Sequence, residues 1–398
     1  MTSVLAASWH QFSQRYFKQA DHYETPLDSV LAGIVVVLVC LGLVMVASSS
    51  VMVAENRTGD ALFYVKRQFI ALCLGVSLGV AAYQVRMIWW QRFAPGLLIV
   101  AFLLLVLVLV PGIGKTVNYS TRWIPLGIFN LQVSELAKLF AFTYMASYLV
   151  RHVETTRQSL MGFIKPLLLF ALIGFLVLLQ PDMGTTVVLF ATGMAMLFIG
   201  GVRLGLFVLI GASLVLMAAL LTLSTDYRLR RVTSFLDPWA DPFGDGFQLI
   251  QSLIAVGSGN WFGLGLGNSV QKLMFLPEPH TDFVFSVLAE EFGFIGITLV
   301  LLLFVAFVWR AFSISALAEK TGHTFGAHLA SGIGIWISLQ AFIHIAVDIG
   351  ALPTKGLTLP FVSYGGSSLM VSCLAAGILL RIAREARLSS AQARRRSA

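Results

Sequence analysis

Charge is scarce in this chain. Asp, Glu, Lys and Arg make up 12% of its 398 residues, and 58% are hydrophobic. A soluble domain carries about twice that share of charge, so a wetted globular surface around a core is excluded. Cysteine is also rare. Cys40, Cys73 and Cys373 all fall inside apolar runs, with a spacing that excludes a zinc site and a disulfide framework, and they read as small buried hydrophobes. No cleavable leader is visible either. Residues 1–26 hold Trp9, His10, Tyr16, Asp21 and Glu24 but no apolar core, so the first hydrophobic run is expected to stay as an anchor. No internal repeat is visible, which argues against a transporter built from inverted halves.

What is present is a series of apolar runs, at 27–53, 62–84, 94–111, 132–150, 166–180, 183–200, 204–224, 282–309, 325–347 and 364–383. A span needs about 20 residues. The fold class expected is therefore an all-α polytopic membrane protein with about ten transmembrane helices. The fifth run ends at Gln180-Pro181-Asp182, where a tight turn into the sixth is expected. The net charge of +8 fits topology better than nucleic acid. With the N-terminus inside, Lys and Arg concentrate in the cytoplasmic segments, so both ends are expected there. The organisation expected is an N-terminal cytoplasmic tail over 1–26, a membrane domain over 27–383, and a basic cytoplasmic tail over 384–398, read as flexible and close to anionic head groups.

Most connections are short. The exception is 225–281, expected outside. It is too long to be incidental, and it holds Phe235, Trp239, Phe243, Phe247, Trp261, Phe262 and Phe275. Phe247, Ile250, Leu253 and Ile254 fall on one helical face, which predicts a short interfacial or re-entrant helix. Glycines 257, 259, 263, 265 and 267 follow it and permit sharp turns.

Two patterns are decoys. Gly112-Ile113-Gly114-Lys115-Thr116 resembles the end of a phosphate loop, but position 109 is leucine and no strand precedes it. Gly75/Gly79 and Gly201/Gly205 are small-xxx-small pairs that predict close helix packing.

Several charged residues remain. Asp282 follows Pro277-Glu278-Pro279-His280-Thr281 where the long loop enters the eighth run. It reads either as a helix cap or as a general base for a sugar hydroxyl. Glu135 and Lys138 are three apart, either a self-neutralising pair or a cavity wall for an anionic head group. Arg67, Arg122 and Lys355 lie near the outer face and would suit a pyrophosphate if they converge; each also reads as a snorkelling residue. Asp182 reads as the cap of the sixth run or as a second acid, with the cap favoured. Glu290 and Glu291 need partners, expected from another helix. His344 and Asp348, four apart, could share one proton or bind a metal. Two ligands are too few for a metal site, and a satisfied structural pair is the favoured reading.

Seven stretches in order resemble one family. They are Lys66-Arg67-Gln68; Thr121-Arg122-Trp123-Ile124-Pro125-Leu126-Gly127; Ser134-Glu135-Leu136-Ala137-Lys138; Gln180-Pro181-Asp182-Met183-Gly184-Thr185; Gly263-Leu264-Gly265-Leu266-Gly267; Pro277 to Asp282; and Pro353-Thr354-Lys355-Gly356-Leu357-Thr358-Leu359-Pro360, running on through Ser368. From about residue 28 to 384 the chain resembles the SEDS proteins (shape, elongation, division and sporulation), their division branch more than their elongation branch. One departure stands out: Asp348 occupies a place where relatives commonly carry asparagine.

The resemblance implies a ten-helix fold and peptidoglycan glycosyltransferase activity on lipid II at the outer leaflet of the bacterial inner membrane, at the division septum. It implies Asp282 as the catalytic residue and Arg67, Arg122, Glu135 and Lys138 as substrate-binding residues, with Lys355 added by its position. In the mechanism expected, Asp282 takes the proton of an acceptor GlcNAc 4-hydroxyl as that oxygen attacks C1 of the donor MurNAc. The carbon inverts from α to β, and undecaprenyl pyrophosphate leaves against the cations. A divalent cation could assist the pyrophosphate, although no ligand set is legible. The partners implied are lipid II, a monofunctional penicillin-binding transpeptidase and other division proteins. Two other functions fit the same features: a flippase moving lipid II across the bilayer, and a non-catalytic scaffold of the division machinery.

Overall fold

The computed structural model describes residues 27–397 apart from positions 118, 119, 128, 225, 274 and 355. The N-terminal tail and Lys355 thus lie outside the described residues. Each of the ten apolar runs coincides with a helix: α1 Ser29–Thr58, α2 Phe63–Gln84, α3 Met87–Leu109, α4 Val133–Arg151, α6 Leu160–Leu178, α7 Met183–Ile199, α8 Leu204–Leu223, α11 Val284–Lys320, α12 Thr324–Asp348 and α13 Gly366–Ser397. Three shorter helices, α5 Val153–Gln158, α9 Asp226–Leu236 and α10 Phe247–Ser258, lie in the connections. Among the described residues seven helices can cross a membrane by length and composition, namely α1, α2, α3, α6, α11, α12 and α13, with α7, α8 and α10 as shorter apolar helices. The chain is an all-α polytopic membrane protein. A small antiparallel sheet of β1 Lys115–Val117, β2 Ser120–Pro125 and β3 Asn130–Gln132 joins α3 to α4, an element the hydropathy pattern does not announce.

Local chemistry sets the helix ends. Asp28 caps α1 by accepting from the Leu31 amide at 3.1 Å, and Gly59 closes that helix in the left-handed region. Asp182 caps α7, its carboxylate accepting from the Thr185 amide at 3.0 Å, as its position predicts. α2 lies against α13 at glycine contacts: a Cβ on Gly75 would meet the Met370 backbone at 3.1 Å, and one on Gly79 the Cys373 carbonyl at 2.8 Å. The second pair behaves differently. Gly201 sits in the turn after α7, and a Cβ on Gly205 would meet nothing within 4 Å. Of the cysteines only Cys373 is buried, whereas Cys40 and Cys73 are exposed on their helices.

Two connections run into the bundle. In the first, Gly293 breaks α11 with φ 62° and ψ −158°, a conformation essentially reserved to glycine. The break frees backbone groups on both sides, and the long connection takes them up. The Leu264 and Gly265 amides donate to the Glu290 and Glu291 carbonyls at 2.9 and 3.1 Å. The Phe294 and Ile295 amides donate to the Asn260 and Trp261 carbonyls at 2.9 and 3.2 Å. The side chains of Glu290 and Glu291 bind the same connection. Glu290 accepts from the Ser269 hydroxyl and the Val270 amide, and Glu291 pairs with Lys272 at 2.8 Å. Ser48 of α1 donates to Glu291 at 2.6 Å, so the expectation of a partner from another helix holds for Glu291, while among the described residues Glu290 is met by the connection instead. α10 also buries a different face from the one expected. Leu249, Ile250, Ser252 and Ala255 are buried, because Ser252 has polar partners inside, while Ile254 is 42% exposed.

The second inward connection joins α12 to α13. Leu357, Leu359, Phe361 and Val362 are all buried. A Cβ on Gly42, midway along α1, would lie 2.5 Å from the Phe361 carbonyl oxygen, so glycine alone lets the connection approach that helix. Non-helical backbone at such depth must be satisfied by protein. Gln340 donates to the Thr358 carbonyl at 3.0 Å, His344 to the Leu357 carbonyl at 2.6 Å, and Gln68 to the Ser363 carbonyl at 3.2 Å.

At the opposite end of the bundle Asp28, fully buried, pairs with Arg310 of α11 and Arg387 of α13, each at 2.6 Å. Residues 384–397, read as a flexible tail, continue α13 as helix, with Ala386 buried. Burial opposes the charge on Asp28, but hydrogen bonds and charge from Arg310, the Leu31 amide and Arg387 hold its carboxyl below the ordinary 3.8.

Two outcomes follow from these contacts. Gly293→Ala should destabilise the protein by about 1–3 kcal/mol, seen as a lowered thermal midpoint in detergent and faster proteolysis within 259–272; an unchanged midpoint contradicts the break. Asp28→Ala should cost about 3–5 kcal/mol at pH 7. A folded-state value below the unfolded one means that this contribution is complete above about pH 4 and is lost as pH falls through the lower value. The gap between wild-type and Asp28→Ala midpoints should therefore narrow in acid.

Candidate active site

Asp282 lies in a turn, its amide donating to the Glu278 carbonyl at 3.2 Å, and is partly exposed. It is not the cap of α11. Phe283 holds that position without a side-chain hydrogen bond, and the Ser286 amide donates to Asp348 Oδ2 of α12 at 3.1 Å. The Asp282 carboxylate faces Gly356 of the inserted connection, where a Cβ would lie 3.4 Å from Oδ2.

An aromatic cluster, not foreseen from the sequence, joins this turn to α2 and to the start of α13. The rings of Tyr64 and His280 are 4.3 Å apart, Tyr64 and Tyr364 5.0 Å, and His280 and Tyr364 5.3 Å. The Tyr364 amide donates to the His280 carbonyl at 2.8 Å. The available signal was Tyr64 one helical turn before Arg67. Arg67 is exposed, stacks on Phe63 at 4.5 Å and reaches the Tyr364 hydroxyl. The structure thus gathers Arg67 and the Asp282 turn about one cluster. Arg57 adds a tie from α1 to Glu278 at 3.2 Å. Burial pushes His280 down to about 4, against the pull of Glu278 and with the help of Arg57. At neutral pH it is an uncharged ring in the cluster.

The other expected residues are placed elsewhere. Arg122, on β2, donates to the Gln180 and Pro181 carbonyls at 3.2 and 2.9 Å and lies 3.5 Å from Asp182. It ties the sheet to the turn between α6 and α7. Glu135 and Lys138 are 3% and 1% exposed and 2.9 Å apart. Lys138 also donates to Gln340 Oε1 at 2.7 Å and lies 5.2 Å from the centre of the Trp336 ring. Since Gln340 holds the Thr358 carbonyl, this ion pair sits under the inserted connection. Lys355 follows Thr354 and precedes Gly356 in that connection, outside the described residues. Among the described residues no group of three or more His, Cys, Asp or Glu side chains is placed to hold a metal ion.

Residues 28–388 match the cell cycle protein family of FtsW, RodA and SpoVE. The chain belongs to that family. It is 54% identical over 359 residues, 90% of each chain, to a probable peptidoglycan glycosyltransferase FtsW of Thioalkalivibrio sulfidiphilus. It is 51% identical over 361 residues, again 90% of each, to the corresponding protein of Allochromatium vinosum. Among solved structures it resembles a chain of a peptidoglycan synthase complex that coordinates polymerization and crosslinking, with a TM-score of 0.75, 31% identity, and coverage of 90% of this chain and 98% of that one. It also resembles the rod shape determining protein RodA of Thermus thermophilus, with a TM-score of 0.66, 28% identity, and coverage of 90% and 97%.

The buried ion pair gives a test that separates packing from substrate contact. Lys138→Met should destabilise the protein by about 3–5 kcal/mol, because it strands Glu135, and Glu135→Gln/Lys138→Met should recover much of that loss. Thermal melts of the purified variants measure it; a double variant no better than the single contradicts a mainly structural pair.

Proposed function

We propose that this protein polymerises lipid II into glycan strands at the outer leaflet during septal wall synthesis, with Asp282 as general base. The chain is a peptidoglycan glycosyltransferase, and the observation that supports this base is the placement of Asp282. It is partly exposed at the mouth of the bundle and is released from capping by Asp348. It faces a glycine that leaves room beside it. A carboxylate there keeps enough water to ionise and enough shelter to accept a proton.

The acceptor presents its GlcNAc 4-hydroxyl to Asp282. As the oxygen attacks C1 of the donor MurNAc, its proton passes to the carboxylate, the bond from C1 to the pyrophosphate breaks, and the configuration inverts. Arg67, held between Phe63 and Tyr364, is an exposed cation joined to this turn through the aromatic cluster, and it steadies the leaving pyrophosphate with Lys355. Arg122, Glu135 and Lys138 serve the site by holding its walls. The exposed apolar helix faces take the polyprenyl tails. A penicillin-binding transpeptidase crosslinks the strand beside the protein, whose termini lie in the cytoplasm.

With labelled lipid II and the cognate transpeptidase present, Asp282→Ala should abolish polymerisation, a loss of at least about 100-fold, while the thermal midpoint and lipid II binding stay near wild type. Unchanged strand synthesis by the variant refutes the base. Lipid II crossing liposome membranes without strand formation by the wild-type protein would favour the flippase instead.

A further inference from the structure

Beneath Asp282 lies a buried polar pair that the reaction as written leaves unused. His344 and Asp348 stand one turn apart on α12, 2% and 0% exposed. His344 Nδ1 is 2.6 Å from the Leu357 carbonyl oxygen. A carbonyl can only accept, so Nδ1 carries a hydrogen. Nε2 then turns toward Asp348 Oδ2 at 3.6 Å and has no other partner. Asp348 Oδ2 accepts from the Ser286 amide at 3.1 Å, and Oδ1 has no hydrogen-bond partner among the described residues. If the imidazole were neutral and the carboxylate ionised, a bare lone pair would face an anion in a dry place, with a buried charge supported by the Ser286 hydroxyl and the Ser286 and Phe285 amides but, among the described residues, by no cation. Both costs vanish when one proton resides on either group, as imidazolium with carboxylate or imidazole with carboxylic acid.

We propose that His344 and Asp348 hold one proton between them, and that this net-neutral pair is a positioning unit for Asp282. The second part rests on the reading of Asp282 as the base. His344 grips the carbonyl of Leu357, the residue after Gly356, and Gly356 is the wall that Asp282 faces. Asp348 grips the Ser286 amide, four residues beyond Asp282. Ser252 of α10 braces both, donating to the Asp348 carbonyl at 2.7 Å and sharing a hydrogen bond with the Ser286 hydroxyl at 2.6 Å. The groups facing the pair from α10, α11 and the inserted connection are thus the uncharged Ser252, Ser286, the Phe285 amide and the Leu357 carbonyl. Asp282 is the charged group near enough to act on Asp348. A second full negative charge there would disfavour ionisation of the base, and a neutral pair holds the backbone without adding one.

The full-length protein in nanodiscs tests both parts. For the proton, the ¹⁵N-histidine spectrum at pH 7, assigned through His344→Asn, is read together with the infrared difference between wild type and Asp348→Asn. Two protonated ring nitrogens on His344, or a carboxylic-acid band that disappears with Asp348, supports the pair. A bare Nε2 with no such band overturns it. For positioning, Asp348→Ala should lower kcat by about 10- to 100-fold with KM little changed, measured below its own lowered thermal midpoint. The conservative Asp348→Asn, whose amide can donate to Nε2 and accept from Ser286, should recover most of that loss. Equal kcat in the Ala and Asn variants overturns the positioning role. Active Asp282→Ala would sink the base assignment while leaving the spectroscopic result intact, so the two failures are distinguishable.

Discussion

Backbone that leaves the helix inside a bilayer has no water to turn to, and this fold is arranged around meeting that demand twice. The break at Gly293 exposes carbonyls and amides that a spliced stretch of the long connection takes up. The connection after α12 hands its carbonyls to Gln68, Gln340 and His344. Each insertion would be untenable if its partners were apolar. Asp282 stands where the two insertions meet: it ends the connection that is spliced into α11, and it looks onto the other at Gly356. The position of Asp282, the proposed base, therefore depends on hydrogen bonds made by residues elsewhere in the bundle.

The same demand explains how charge is distributed. Asp28 has two arginines, Glu135 a lysine, Glu291 a lysine and a serine, and Glu290 a hydroxyl and an amide. All of these carboxylates are buried. Asp282 differs in keeping contact with water. In a medium where a buried charge is expensive, that difference sets Asp282 apart from the carboxylates that assemble the bundle and fits the role proposed for it.

Much of the bundle was legible because lipid imposes length and apolarity on every span. The ten runs, the turn at Gln180–Asp182 and the cap at Asp182 could all be read from local pattern. What escaped was set by contacts distant in sequence. Hydropathy cannot say that Ser252 points inward while Ile254 points out, because Ser252 is claimed by Asp348 from 96 residues away. It cannot say that Arg122 is spent on the carbonyls of Gln180 and Pro181, or that His280 packs on Tyr64 and Tyr364. The residue types around Asp282 could be picked out from the sequence, but their grouping required the two insertions.

The glycine contacts between α2 and α13 bear on biogenesis. Gly75 and Gly79 form a notch into which the backbone near Met370 and Cys373 fits, and Gln68 on the same helix bonds the Ser363 carbonyl. Nearly three hundred residues separate the two halves of this joint, so α2 leaves the ribosome long before its mate exists. The nascent bundle must wait with a polar amide and a bare groove unfilled, and this joint cannot close until α13 is threaded home.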